Sequence, residues 1–184
     1  MTYLAAAIQM NAGPDKAANL ERAERLVRVG AARGANLVAL PEVFNWRGKR
    51  NEQAAAAETL EGESLRLMSR LARELQIHIV AGSITEQIDG DSRCYNTSAL
   101  LDPDGGRVAV YRKIHLFDVD LPGRVTVRES DAKLAGADVV TGATPLGAIR
   151  LSICYDLRFP ELYRRLTFAG AQIIAIPSAF TFPT

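Results

Sequence analysis

Three residues of complementary chemistry stand just past three apolar runs of the chain: a carboxylate at Glu42, an amine at Lys113 and a thiol at Cys154. Glu42 follows Leu40-Pro41, Lys113 follows Tyr111-Arg112, and Cys154 directly follows Ile153. Taken singly, each has a plain explanation. A lone cysteine is commonly buried filler, and a lone glutamate or lysine at a strand end is commonly solvated. Taken together, they suit a nucleophilic site. A Lys113 ammonium nearby favours the thiolate form of Cys154. Glu42 is placed to take the thiol proton, give one to a leaving amine and later activate water. Lys113 would hold the negative oxygen of a tetrahedral intermediate, helped by the backbone N–H of Tyr155. The first half-reaction would leave a thioester. A Cys154–His115 dyad is the rival arrangement, disfavoured because no Asn or Asp orienter presents itself by pattern. His115 is therefore read as structural, His78 as a core or boundary residue, and Cys94 as inert.

The elements that must position these groups alternate between strand and helix. Tyr3–Gln9 is a short apolar run, and Gly13-Pro14-Asp15 is a turn with Asp15 as helix N-cap. Leu20, Ala23, Val27 and Ala31 recur at spacings of three and four, one apolar helix face that Gly34 ends. Asn36–Leu40 and Ile77–Ala81 read as strands buried on both faces, with a helix marked by Leu65, Met68, Leu71 and Leu75 between them. Tyr95–Leu101 and Arg107–Tyr111 flank Asp102-Pro103-Asp104-Gly105-Gly106 and read as a hairpin. Arg150–Ile153 is a strand, Pro160 opens a helix with Leu162, Leu166 and Ala169 inward, and Gln172–Ile176 is the last strand. The pattern is an α/β fold. It places the three reactive groups beyond strand ends, where ligands bind in such folds. The segment from Gly34 to Phe44 is echoed from Gly170 to Phe180, each running helix exit, buried strand, proline, then phenylalanine. Such units recur in any α/β protein; the alternative is an internal duplication whose halves pack together.

Composition narrows the function classes. The 184 residues fit one domain, with 48% hydrophobic and 23% charged residues. Lys plus Arg is 22 against 21 Asp plus Glu, a net charge of +1. That gives no reason to expect nucleic acid or a membrane as partner. The apolar runs fall short of a bilayer span, and no secretion signal opens the chain. Two cysteines make no disulfide framework. A cytoplasmic location is expected. No His and Cys spacing suits zinc, no EF-hand loop appears, and no glycine-rich phosphate loop follows a strand. Neither a cofactor nor a metal is expected.

Leu40-Pro41-Glu42, the block from Arg112 to Asp118 and the block from Cys154 to Leu162 resemble the three signature blocks of the nitrilase superfamily of carbon–nitrogen hydrolases. The resemblance runs from Met1 to about Phe180, and its third block is the most specific. It implies a nitrilase-type αββα sandwich and a Glu–Lys–Cys triad on Glu42, Lys113 and Cys154. It also implies a second glutamate between lysine and cysteine, which Glu129 matches. Asp156 and Arg158 would form an ion pair supporting the nucleophile turn. Tyr95-Asn96-Thr97 is a familiar family segment near the pocket. Within the superfamily the resemblance is to the omega-amidase and deaminated-glutathione amidase group. The expected substrate is therefore a small carboxylate-bearing amide such as a 2-oxo acid amide, cleaved through a cysteine thioester with release of ammonia. An N-carbamoyl amino acid hydrolase, or a weakly active fragment or binding subunit, are the alternatives. A homo-oligomer, dimer or higher, is expected.

The resemblance also bears on the end of the chain. Phe44 is followed by a helix and several strands, but Phe180 by only four residues. Relatives continue through a glycine-containing turn where Phe182 stands here, then a His-Trp segment and further strands. Residues 1–184 are thus expected to form a carbon–nitrogen hydrolase domain whose second half is incomplete, by roughly 70 to 90 residues on analogy with the first half. An uncovered sheet edge would favour self-association, and the isolated chain would be weakly active.

Overall fold

The computed structural model describes residues 2–123 and 125–180; Phe182 lies outside the described residues. The first sheet begins as a β-α-β unit. Strand β1 (Ala5–Ala7) leads into helix α1 (Lys16–Ala32), and the chain returns as β2 (Leu37–Ala39), paired in parallel with β1. The Asp15 side chain accepts a hydrogen bond from the Ala18 N–H at the start of α1, the N-cap read from the sequence. Gly34 leaves the helix end at φ +89°. Helix α2 (Glu63–Leu75) carries the chain to β3 (His78–Val80), again parallel to β2.

Strands β4 (Ile84–Gln87), β5 (Cys94–Leu101) and β6 (Arg107–Arg112) complete this sheet with antiparallel pairings. One edge of β5 holds β3 opposite its C-terminal end and β4 opposite its N-terminal half; β6 takes the other edge. The β5–β6 connection is the hairpin expected from its turn residues. Asp102 Oδ1 accepts from the Asp104 and Gly106 N–H groups, and Gly105 supplies a φ of +77°. Next come the two-stranded hairpin β7 (Asp118–Leu121) and β8 (Val125–Arg128). The second sheet has β9 (Thr141–Thr144) antiparallel to β10 (Gly147–Leu151), and β10 parallel to β11 (Ile173–Ala175) across helix α3 (Pro160–Phe168).

Four layers follow from which faces are apolar. Leu20, Ala23 and Val27 of α1 and Leu65, Met68 and Leu71 of α2 bury against one face of the first sheet. Its other face presents Leu37, Val80, Leu100 and Tyr111 to Ile149, Leu151 and Ile153 of the second sheet. Alternation along β10 turns Arg150 and Ser152 outward, where they meet α3. Arg150 donates to the Ala169 carbonyl, and Ser152 Oγ lies 3.0 Å from the Tyr163 hydroxyl. The result is an αββα sandwich. The repeated sequence segments have the same local structure: a left-handed glycine (Gly170 at φ +84°), a strand parallel to its β-α-β partner, then proline.

One glycine fixes how the sheet reaches the Glu42 segment. Gly82, between β3 and β4, has φ +47°, and a Cβ there would lie 2.1 Å from the Pro41 carbonyl oxygen. Only glycine admits that approach. Gly82→Ala is expected to cost about 2–4 kcal/mol and to lower the melting temperature by roughly 5–15 °C. A thermal melt indistinguishable from the parent would show that Pro41 and Glu42 tolerate displacement.

Candidate active site

Strand directions bring the three reactive groups to one place. β6 is antiparallel to β5 and β5 to β3, so β6 runs in the same direction as β3 and β2. Glu42 and Lys113 therefore leave the same end of the first sheet. Cys154 leaves the matching end of β10, where its backbone N–H donates to the Pro177 carbonyl at 2.9 Å. The Ala179 N–H, from the segment after β11, donates to Glu42 Oε2 at 3.0 Å, so the two sheets meet across the site.

Lys113 is the centre of this cluster. Its side chain is 2% exposed, and its Nζ lies 3.3 Å from Glu42 Oε1 and 2.9 Å from Glu129 Oε2. Burial by itself would lower the Lys113 pKa, but the charges of Glu42 and Glu129 outweigh it and hold the amine above its ordinary value. Glu129, in the short 3₁₀ turn after β8, is held in turn by the Phe117 N–H at 2.7 Å. The second glutamate expected between lysine and cysteine is thus beside the lysine. Asn96, for which the sequence offered no role, also belongs here. Its Nδ2 donates to Glu42 Oε1 at 2.8 Å and to Glu129 Oε1 at 3.4 Å. The available signal was its place in the familiar segment on an expected strand.

Cys154 opens a five-residue 3₁₀ turn with φ +46°, a left-handed conformation that is strained for a residue with a side chain. Val43, next to Glu42, has φ +45° and is tied by its N–H to Ser83 Oγ at 2.9 Å. The thiol is buried, and its pKa is pushed up to about 12 by burial first and the Glu42 carboxylate second. The expectation of a thiolate favoured by Lys113 is corrected: Lys113 does pull the pKa down, but burial and the neighbouring carboxylate win. The Glu42 carboxylate lies near enough to raise the thiol's pKa, and the two groups line the same cavity. No backbone carbonyl outside the turn takes the Tyr155 N–H among the described residues.

Asp156 and Arg158 do not form the expected ion pair. The buried Asp156 carboxylate accepts from the Tyr111 hydroxyl at 2.7 Å, the Ile153 N–H at 2.8 Å and the His115 N–H at 3.0 Å. Its Oδ1 also lies 2.7 Å from His115 Nδ1. Asp156 thus ties the Cys154 turn to the Lys113 segment, while the exposed Arg158 lines the cavity. The His115 ring stacks on Phe159 at 3.7 Å and makes no described hydrogen bond to Cys154, so the dyad arrangement is not formed. His78 and Cys94 are both buried in the first sheet, away from these contacts.

The groups line a cavity of about 540 Å³. Phe117, Val119, Leu121 and Val127 contribute apolar lining, as does Trp46. Among the described residues, no three His, Cys, Asp or Glu side chains group as metal ligands, and no helix is long and apolar enough to cross a membrane.

A buried acid–amine–thiol cluster at the junction of two α-backed sheets defines a class of hydrolytic protein. Residues 4–184 match the carbon-nitrogen hydrolase family model, and the chain belongs to that family. It is 40% identical over 182 residues to a deaminated glutathione amidase of Synechocystis, covering 97% of this chain and 67% of that one. It is 40% identical over 183 residues to an omega-amidase of Mus musculus, covering 100% and 66%. The C. elegans NitFhit protein superposes with a TM-score of 0.89 at 35% identity, over 97% of this chain and 44% of that one. The chain spans about two thirds of the length of the curated relatives it matches.

A thiol held near pKa 12 has a checkable consequence. In a Cys94→Ala background, iodoacetamide alkylation of Cys154 should rise about tenfold per pH unit from about pH 7 to about pH 9.5, without levelling. A plateau below about pH 8 would mean that the resting thiol is already ionised.

Proposed function

We propose that the chain is an amidase that cleaves a small carboxylate-bearing amide, such as a 2-oxo acid amide, through a Cys154 thioester. The observation that carries this reading is the convergence of Glu42, Lys113 and Cys154 on one cavity, with Lys113 Nζ 3.3 Å from Glu42 Oε1. The names of the amidase relatives support the substrate class, as do the exposed Arg47, Arg128 and Arg158 along the cavity.

In the proposed reaction Cys154 Sγ attacks the amide carbonyl carbon while its proton passes to Glu42. A thiol of such high pKa makes this concerted transfer necessary at neutral pH. The carbonyl oxygen becomes an oxyanion held by the Lys113 ammonium and the Tyr155 N–H. As the C–N bond breaks, Glu42 returns the proton to nitrogen and ammonia leaves, with the acyl group on sulfur. Water then attacks the thioester. Glu42 takes its proton, the carboxylic acid departs, and the proton returns to the thiol. Glu129 keeps Lys113 charged and aimed. Lys113 contacts only Oε1 of Glu42, so Oε2 is the oxygen off the ammonium that exchanges protons.

Ammonia release from a panel of amides tests the reading, with 2-oxosuccinamate and 2-oxoglutaramate as its central members. Cys154→Ala is expected to abolish release while leaving the thermal melt close to the parent's, and Cys94→Ala to leave release largely unchanged. Retained turnover in Cys154→Ala would overturn the mechanism. Equimolar carbon dioxide would redirect the reading to N-carbamoyl substrates.

Lys113→Arg separates charge from geometry. It keeps a cation but replaces a compact ammonium with a wide planar fork. A loss of at least about 100-fold in kcat is expected, close to that of Lys113→Ala. Glu129→Gln should also lose activity without unfolding. A near-native rate in Lys113→Arg would show that long-range charge alone matters.

A further inference from the structure

The cavity wall holds a second buried lysine that the proposed reaction does not use. Lys133 follows the Glu129 turn, and its backbone is bridged to Cys94 at the start of β5. The residue is 3% exposed. Its Nζ donates to Thr85 Oγ1 at 2.8 Å and to the Tyr95 carbonyl at a longer 3.5 Å. An ammonium has three donors, so one is left without a described acceptor. Unlike Lys113, Lys133 pairs with no carboxylate among the described residues; Glu42 and Glu129 are both engaged by Lys113. The other cations on the lining are different in kind. Arg47, Arg128 and Arg158 are exposed to solvent, and Arg50 is ion-paired with Asp131.

We propose that Lys133 receives the carboxylate of the substrate and thereby selects anionic amides over neutral ones. A buried cation without a counter-charge is destabilising, and an incoming carboxylate supplies both the missing charge and the missing acceptor. The same pair formed by a rim arginine would be screened by water and weak. A neutral amide offers Lys133 no such return. The inference rests on reading this cavity as the amide site, and it assigns the acid end of the substrate.

The electrostatics around Lys133 support it. Burial is the largest effect and lowers the amine's pKa to about 8, with Cys94, Glu129 and Glu42 opposing the fall and Lys113 adding to it. Below about pH 8 the group is an ammonium ready for an anion. Above that pH it becomes a neutral amine, and the attraction is lost.

The test measures binding to the Cys154→Ala chain, in which ligand is not consumed. Trp46, the sole tryptophan, lines the cavity and reports by fluorescence. The two ligands are glutaramate, with one amide and one carboxylate, and its uncharged diamide. Lys133→Met should weaken glutaramate binding about tenfold or more and shift diamide binding by less than about twofold. A purely structural role predicts a lowered melting temperature and equal loss for both ligands; removal of an unpaired buried charge predicts an equal or higher one. Lys133→Gln gives the same comparison with a polar side chain. In the parent without any Lys133 change, raising the pH from about 7 to about 9.5 should weaken glutaramate binding about tenfold or more and leave the diamide unaffected. Glutaramate binding that ignores both the substitution and the pH, or that is lost only in Arg158→Met, would overturn the proposal. Lys133-dependent binding without ammonia release from any amide would support it while overturning the amidase reading. Ammonia release from glutaramate whose KM is unaltered by Lys133→Met would do the reverse.

Discussion

A single ammonium between two carboxylates organises this molecule. Lys113 is buried, and opposite charge in contact is what holds its amine above the ordinary value despite that burial. Glu42 and Glu129 supply that charge from segments 71 residues before and 16 residues after it in the chain. Removing Lys113 would leave two carboxylates facing each other without a cation, at a cost of about 3–5 kcal/mol. Two carboxylates against one ammonium also leave one negative charge in excess. The Phe117 and Ala179 N–H groups and the Asn96 amide donate into that excess. Burial first, and then the charge they do not neutralise, keep the Cys154 thiol protonated. The same charge balance that stabilises the lysine thus adds to the effect of burial on the thiol.

The backbone is strained where the chemistry is concentrated. Val43, Gln76 and Cys154 are the non-glycine residues with positive φ among those described, and two of them adjoin or form the reactive cluster. Each such residue costs on the order of 1–3 kcal/mol and persists only if its surroundings hold it. Gln76 is a helix C-cap, an ordinary place for the left-handed conformation. Val43 and Cys154 have no such local excuse. Their N–H groups are instead held by Ser83 and by the Pro177 carbonyl. Asp156 adds a second anchor by binding both Ile153, before the cysteine, and His115, after the lysine.

Much of this was legible in the residues, and the part that was not has a physical pattern. The apolar periodicities located α1, α2 and α3 and the buried strands, because those elements owe their position to the core they fill. Strand β4, the β7–β8 hairpin and β9 escaped notice. Val119 and Val127 alternate with charged or polar neighbours over only four residues, too short a run to stand out. Glu42, Lys113 and Cys154 were visible from their places beyond strand ends, while Glu129 rested on family resemblance. Asn96 and Asp156 act through hydrogen bonds whose partners lie tens of residues away, and no local pattern marks such a residue. The Asp156–Arg158 pair rested on family resemblance as well, and here the turn sends the two side chains to different environments, Asp156 buried and Arg158 exposed. The thiol's ionisation was misjudged because the sequence shows a nearby lysine and carboxylate but not the depth at which they lie.

The repeated β-α-β frame explains why this chemistry sits at the seam between the sheets. Pro41 and Pro177 follow equivalent strands, and neither has an N–H with which to extend a ladder. In each unit the chain must therefore leave its sheet at that point, at the end facing the other unit. In the first unit the residue so released is Glu42. In the second it is Ser178, followed by Ala179, whose N–H returns to the Glu42 carboxylate. Equivalent backbone geometry thus delivers an acceptor from one half and a donor from the other to the same point. Cys154 is joined to this junction by its own bond to the Pro177 carbonyl, so its spacing from Glu42 is set by sheet-to-sheet packing. Ile149 and Leu151 of β10 and Ile153, just before Cys154, pack with Leu37 of β2, the strand leading to Glu42, and with Val80 of the neighbouring β3. A change in volume at that interface alters the distance between sulfur and carboxylate with no change in either residue. In this fold the inter-sheet core is part of the geometry of the site.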